Sequence, residues 1–236
     1  MMKIGIYGGS FDPVHYGHLN VAKTAIARLS LDKLVVIPAN VSPFKTDRRP
    51  ELSSAVPPPL STATSPVYEW AEHLEQVRAV FAGLDKCVVD DRELKRGGVS
   101  YAIDTVREIR AEYSADSSDF NSPLQLFFII GQDSVEGLPR WKDYEVLKTL
   151  CTFVPFPRTK ESSTEIRGLF ANAKVELNPD AGLAEVVKSG LVRKGGFCPC
   201  RLPKAPEFFC PCDEFKAQMR DPGYHGFCHC RLYRKP

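Results

Sequence analysis

Five short apolar runs, separated by stretches of helical periodicity, limit the fold of this chain more than any other feature. They are KIGIYG from Lys3, KLVVIP from Lys33, KCVVD from Lys86, LQLFFIIG from Leu124 and CTFVPF from Cys151. Runs this short and this apolar suit strands covered on both faces. Between the first two, HLNVAKTAIARL (18–29) sets Leu19, Ala22, Ile26 and Leu29 along one helical face. Strand, helix, strand at this spacing makes a βαβ unit, so the fold class is α/β with a Rossmann-like parallel sheet. LQLFFIIG is the most apolar run and is expected at the centre. Further helices are expected over about 68–82, in SYAIDTVREIRAEY with Ser100 as its cap, and in WKDYEVLKTL. In SSTEIRGLF, Ser162 precedes Glu165 by three residues, a helix-start pattern.

At 236 residues the chain has room for one large domain, or a medium one plus a small one. A net charge of +2 argues against nucleic acid as a partner. From Ala171 onward there are 11 Lys/Arg against 7 Asp/Glu, a mild basic excess. The start MMKIGIYGG is not expected to act as a signal peptide, and no apolar run reaches the roughly 18 residues a membrane helix needs. A cytoplasmic location without a membrane partner is therefore expected, where thiols stay reduced. Residues 48–67, RRPELSSAVPPPLSTATSPV, are expected to be a mobile loop insert. After the short helix in NPDAGLAEVVKSGLVRKGG, regular patterning stops. Residues 197–236 then suit a small domain organised by a metal centre, giving domains 1–172 and 176–236 with a boundary near 172–178.

The stretch GGSFDPVHYGHL carries the first candidate site. Gly8 and Gly9 let the backbone approach a ligand at the carboxyl end of the first strand, where open parallel sheets bind ligands. Backbone N–H groups there and the start of the next helix suit phosphate. His15 and His18 fall at that turn, facing solvent, and both can point at one phosphate to stabilise its charge during transfer. A plainer alternative makes His18 a helix cap and His15 an exposed residue.

This stretch resembles the nucleotidyltransferase superfamily that carries a His-x-Gly-His signature. PANVSPFK, GGVSYAIDTV, FFIIGQDSVEGLPRW and SSTEIR follow in the order seen in bacterial nicotinate mononucleotide adenylyltransferases, over roughly residues 2–168. The resemblance implies in-line attack of nicotinate or nicotinamide mononucleotide on the α-phosphorus of ATP, with Mg²⁺ carried on the ATP. It implies that His15 and His18 hold phosphates and that Gly8, Gly9, Ser10 and Phe11 line the substrates. Lys45 would close over them in a loop, Gly131 and Asp133 would meet a ribose, and Trp141 would cradle the pyridine ring. Ser163, Thr164 and Arg167 would bind ATP phosphates at a helix start. From position alone, Trp141 is equally a core aromatic and Arg167 part of a solvated helix face. The chain departs from that family in its insert after Lys45, in Phe44 where a His is usual, and in a shortened segment before SSTEIR.

The second candidate site is the set CPCR (198–201), CPCD (210–213) and CHCR (228–231), six of the eight cysteines. Zinc needs four ligands and leaves two thiols over. A 4Fe–4S cluster also takes four thiolates and would leave two for disulfide chemistry. Residues 178–236 resemble the catalytic chain of ferredoxin:thioredoxin reductase. That resemblance implies a cluster on Cys198, Cys210, Cys212 and Cys228. It also implies a redox pair of Cys200 and Cys230 with His229 as proton donor, and ferredoxin and thioredoxin or another disulfide protein as partners. Cys87 and Cys151 suit buried core positions. The chain is thus expected to join an adenylyltransferase of NAD synthesis to a disulfide reductase. The alternatives are a reductase whose front part only binds nucleotide, and a zinc-binding interaction module.

Overall fold

The structure is a computed structural model and describes residues 1–43, 70–115, 123–157 and 161–236. Lys45 and the insert expected near 48–67 lie outside the described residues. The chain forms two compact units. The first holds, among the described residues, 1–10, 20–43, 84–115 and 123–157; the second holds 11–19, 70–83 and 161–236.

In the first unit the five apolar runs become β1 (Met2–Gly9), β2 (Lys33–Pro38), β3 (Cys87–Val89), β4 (Leu124–Gly131) and β5 (Thr152–Phe156). They form one parallel sheet in the order β3-β2-β1-β4-β5. The centre is therefore β1 and not β4. The apolarity of LQLFFIIG reflects two covered faces, and β1 has these as well: Ile4 and Ile6 are fully buried, as is Ile129 of β4. Ile103, Val106 and Ile109 of α4 (Ala102–Ala115) pack on Val35, Ile37, Leu126 and Phe128 of the sheet. Ser100 lies two residues before α4, and its Oγ accepts the N–H of Asn40 at 3.0 Å. Cys151 is buried and Cys87 half-buried.

The second unit contains α2 (Trp70–Phe81), α6 (Ser163–Asn172), α7 (Ala181–Arg193) and α8 (Asp213–Arg220). A small antiparallel sheet of β6 (Glu176–Leu177), β7 (Gly226–Phe227) and β8 (Tyr233–Lys235) has the order β6-β8-β7. Ser162 caps α6, its Oγ accepting the Glu165 N–H at 3.1 Å, as the sequence pattern implied. Regular structure continues past 197, because α8 places Phe215 and Met219 one turn apart on a buried face. Phe215 stacks on Tyr233 with centroids 5.7 Å apart, and Phe170 of α6 meets Tyr233 edge-on at 5.0 Å. Ala173 and Val175 pack in one core with Ile166, Phe170, Leu191, Phe215, Leu232 and the buried cysteines. Lys235 closes the carboxyl end of α8, donating to the carbonyls of Gln218 and Met219, both at 3.4 Å, and of Asp221. Gly196 has φ +88°, and a Cβ there would come within 2.6 Å of Phe209 Cζ. Among the described residues no helix is long and apolar enough to cross a membrane.

Phe215 is the hinge of this core, so Phe215→Ala should cost about 3–5 kcal/mol. Urea unfolding should show the loss as a lower midpoint, and an unchanged midpoint would contradict the packing described.

Candidate active site

In the first unit, β1 and β4 run side by side with Tyr7 opposite Ile129, so Gly8, Gly9 and Gly131 close the carboxyl ends of neighbouring strands. Strand order reverses at this pair, the place where open α/β sheets take ligands. An added Cβ at Gly131 would lie 2.5 Å from Asp133 Oδ1, so the missing side chain lets that carboxylate fold back over the strand end. Gly8 has no such packing need: a Cβ there would make ordinary contact with Phe128 Cζ at 3.6 Å. Ser10 is half-buried at the end of this segment. Trp141 is half-buried, edge-on to Phe128 at 5.6 Å and Phe153 at 5.9 Å, which makes it at least in part a core aromatic.

The histidines belong to the second unit. His15 and His18 lie one turn apart at the start of α1 (Tyr16–Leu29), with ring centroids 3.8 Å apart. His18 Nδ1 accepts the His15 backbone N–H at 3.2 Å. A neutral His18 therefore carries its proton on Nε2 and acts there as a donor. The expectation that the pair faces solvent is corrected for His15, which is only 6% exposed, while His18 is half-buried. Burial, then the Lys216 ammonium, lowers the pKa of His15 to about 4. Burial, then His15, holds His18 well below its usual range. The side chain of Phe11 is buried with its ring edge-on to His18 at 4.9 Å. The loop is clamped from α6. Ser163 Oγ donates to the Pro13 carbonyl at 3.0 Å, and Arg167 donates to the Asp12 carbonyl. Arg167 also reaches Thr164 Oγ1 at 3.2 Å, so it is not part of a purely solvated face. The structure thus brings His15, His18, Ser163, Thr164 and Arg167 together around one loop.

Two further residues reach this loop that the sequence reading missed. Glu161 Oε2 accepts the Gly17 N–H at 3.3 Å and lies 3.9 Å from His15 Nδ1. Its Oε1 pairs with Lys216 Nζ of α8 at 2.6 Å. The available signal was the helical spacing in DEFKAQMR, which the neighbouring cysteines obscured.

A sequence profile of the cytidylyltransferase-like family matches residues 6–193, more than half of the chain. The chain belongs to this family. Several relatives carry the name probable nicotinate-nucleotide adenylyltransferase. That of Citrifermentans bemidjiense is 36% identical over 165 residues, covering 70% of this chain and 65% of its own. That of Shouchella clausii is 34% identical over 183 residues, covering 78% and 82%. That of Pseudomonas aeruginosa strain UCBPP-PA14 is 35% identical over 176 residues, covering 73% and 71%. The chain spans just under two thirds of the length of the first of these relatives.

The cytidylyltransferase-like match stops before the cysteine pairs. Cys198, Cys212, Cys228 and Cys230 are buried, Cys210 is half-buried, and Cys200 and His229 are exposed. The sulfurs of Cys228 and Cys230 are 3.6 Å apart, and Cys228 also accepts the Tyr233 N–H at 3.3 Å. Hydrogen bonds from Cys230 lower the pKa of Cys198 to about 6 and of Cys228 to about 7, while raising that of Cys230 itself. Among the described residues no three His, Cys, Asp or Glu side chains converge on one metal position. The arrangement thus shows neither the 4Fe–4S cluster expected on Cys198, Cys210, Cys212 and Cys228 nor the alternative zinc site. Instead, thiols from different pairs hydrogen-bond to one another.

The depressed pKa values of the buried His15 and the half-buried His18 have a pH signature. Their folded pKa values lie below the ordinary 6.5, so the unfolded chain binds more protons as pH falls. The stability His15 contributes in this way is fully present above about pH 6.5 and is lost as pH falls toward about 4. Chemical unfolding across this window should show a smaller loss for His15→Asn than for the unmutated chain; equal slopes would contradict the buried neutral ring.

Proposed function

We propose that this protein transfers the adenylyl group of ATP to nicotinate mononucleotide in NAD biosynthesis, releasing pyrophosphate. The observation that carries this reading is the pair of contacting imidazoles, held from below by Phe11 and clamped in place by Ser163 and Arg167. The names of the relatives support the same substrates.

In this reading a phosphate oxygen of the mononucleotide attacks the α-phosphorus of ATP. The new P–O bond forms as the bond from the α-phosphorus to the bridging oxygen breaks, that oxygen leaving with pyrophosphate, and no covalent enzyme intermediate is needed. His18 donates from Nε2 to the phosphoryl oxygens, where negative charge builds up. Such a donor acts strongly in a site screened from water and already fixed in place. Arg167 and Ser163, now bonded to loop carbonyls, are the groups that would turn to ATP phosphates. Gly8, Gly9 and Ser10 would pass the backbone close to the substrates. Gly131 and Asp133 would meet a ribose, and Trp141 the pyridine ring.

A second reading concerns the cysteines, and their gathering in one core with sulfur contacts across pairs favours it. Residues 178–236 would act as a 4Fe–4S disulfide reductase, with Cys198, Cys210, Cys212 and Cys228 as ligands. Cys200 and Cys230 would be the exchanging pair beside His229, and ferredoxin and thioredoxin the partners.

His18→Ala should lower turnover about 10²- to 10³-fold in a pyrophosphate-release assay with ATP and nicotinate mononucleotide. A fully active variant would remove the role assigned to His18. For the cysteines, Cys210→Ser should lose iron and visible absorption in anaerobically prepared protein. Cys200→Ser should keep both and lose disulfide reduction. An unmutated protein free of iron would end the second reading.

A further inference from the structure

A carboxylate from outside the His-x-Gly-His motif lies beside the buried nitrogen of His15, and it is held by the cysteine-bearing segment. His15 Nδ1 is buried without a hydrogen-bond partner among the described residues. At 3.9 Å the Glu161 carboxylate is too far for a hydrogen bond but close enough to act on charge at that nitrogen. The same oxygen, Oε2, accepts the Gly17 N–H at 3.3 Å, so Glu161 is anchored to the turn between the two histidines. Its other oxygen is fixed by Lys216, whose side chain is only 10% exposed and which also meets Asp213 at 3.1 Å. Lys216 lies one turn into α8, and the Cys212 carbonyl accepts its backbone N–H at 2.9 Å.

A neutral imidazole donates from only one nitrogen. If His15 turned its proton toward Glu161, its Nε2 could accept but not donate to phosphate. When a triphosphate brings negative charge, an imidazolium becomes the favoured form. It donates at both nitrogens, and the carboxylate behind it stabilises that form. Lys216 holds the carboxylate in line while limiting the charge His15 gains at rest.

We propose that Glu161 is a positioning residue for His15 in adenylyl transfer and that Lys216 of the cysteine-bearing segment positions Glu161. The tail is then part of the transferase site and not an independent attachment. The proposal rests on the adenylyl-transfer reading above. The charged and titratable groups around His15 in this account are His18, Glu161, Lys216 and, through Lys216, Asp213.

The experiment uses the full chain and two readouts. The first is steady-state pyrophosphate release. Glu161→Gln should lower kcat about 10- to 10²-fold, the scale of a misplaced catalytic group, with KM for nicotinate mononucleotide little changed. Lys216→Met should lower kcat in the same way, and Lys216→Arg should restore most of it. The double variant Glu161→Gln/Lys216→Met should be no worse than Glu161→Gln alone, because the two act as one unit. The second readout is the His15 ring titration by nitrogen-15 NMR, which needs no activity. Removing the lysine charge in Lys216→Met should raise the His15 midpoint. Full kcat in Glu161→Gln, or additive losses in the double variant, would overturn the positioning role. A His15 midpoint unmoved by Lys216→Met would overturn the link to the tail. If the unmutated protein releases no pyrophosphate, the adenylyl-transfer reading fails, and the titration alone decides whether Lys216 acts on His15.

Discussion

β1 is hydrogen-bonded along both edges, to β2 on one side and β4 on the other, and the rest of the first unit follows from this. A strand paired on both sides and covered on both faces has no freedom to slip, because a shift of one residue would bring an isoleucine to the face where Gly5 sits, and there even an added Cβ would lie 2.6 Å from Leu31 Cδ1. Its carboxyl end is therefore fixed next to that of β4. That is the point where the order of parallel strands reverses, and helices on the faces leave the strand ends as the open place for a ligand. The two glycines close β1 there, and the chain then runs directly into the histidine loop.

The ion pair of Glu161 and Lys216 asks for a different explanation. Taking both charges largely out of water costs much of what their attraction returns, so such a pair is weak evidence of stability. What it does supply is direction. One carboxylate oxygen is tied to the ammonium, which leaves the other facing a backbone N–H and an imidazole. A hydrophobic contact of the same size would hold the elements together without orienting any charge. The placement of the pair beside His15 suits orientation better than it suits stability.

Much of this could be read from the sequence, for identifiable reasons. The five strands announced themselves because each is a short apolar run buried on two faces. Helix α6 did so because Ser162 and Glu165 carry the capping pattern at its start. Strand rank within the sheet was misjudged, since apolarity counts covered faces and cannot order two strands that both have two. Helix α8 escaped notice because it is short, follows directly on a cysteine pair and has few buried positions. Only Phe215, Lys216 and Met219 of its eight residues are buried. Strands β6, β7 and β8 span two or three residues each, too few for any periodicity to appear. The meeting of Glu161 with Lys216 spans 55 positions of sequence, and no local pattern encodes it. Burial of the histidines was likewise hidden, because polar residues in a glycine-rich loop look the same whether or not aromatic rings close over them.

Phe11 shows how narrowly the loop is specified. Its φ of +45° lies in a region where bulky side chains are uncommon and glycine or asparagine is comfortable. Yet its ring is almost fully buried against His18 and Phe81. The backbone at this position favours one kind of residue and the packing requires another. Glycine would relax the chain and take away the surface on which His18 rests. A β-branched residue would fill part of the space and worsen the backbone. Position 11 therefore sits at a compromise with few neighbours in sequence space, and drift in this loop is blocked by two requirements that no single replacement satisfies better.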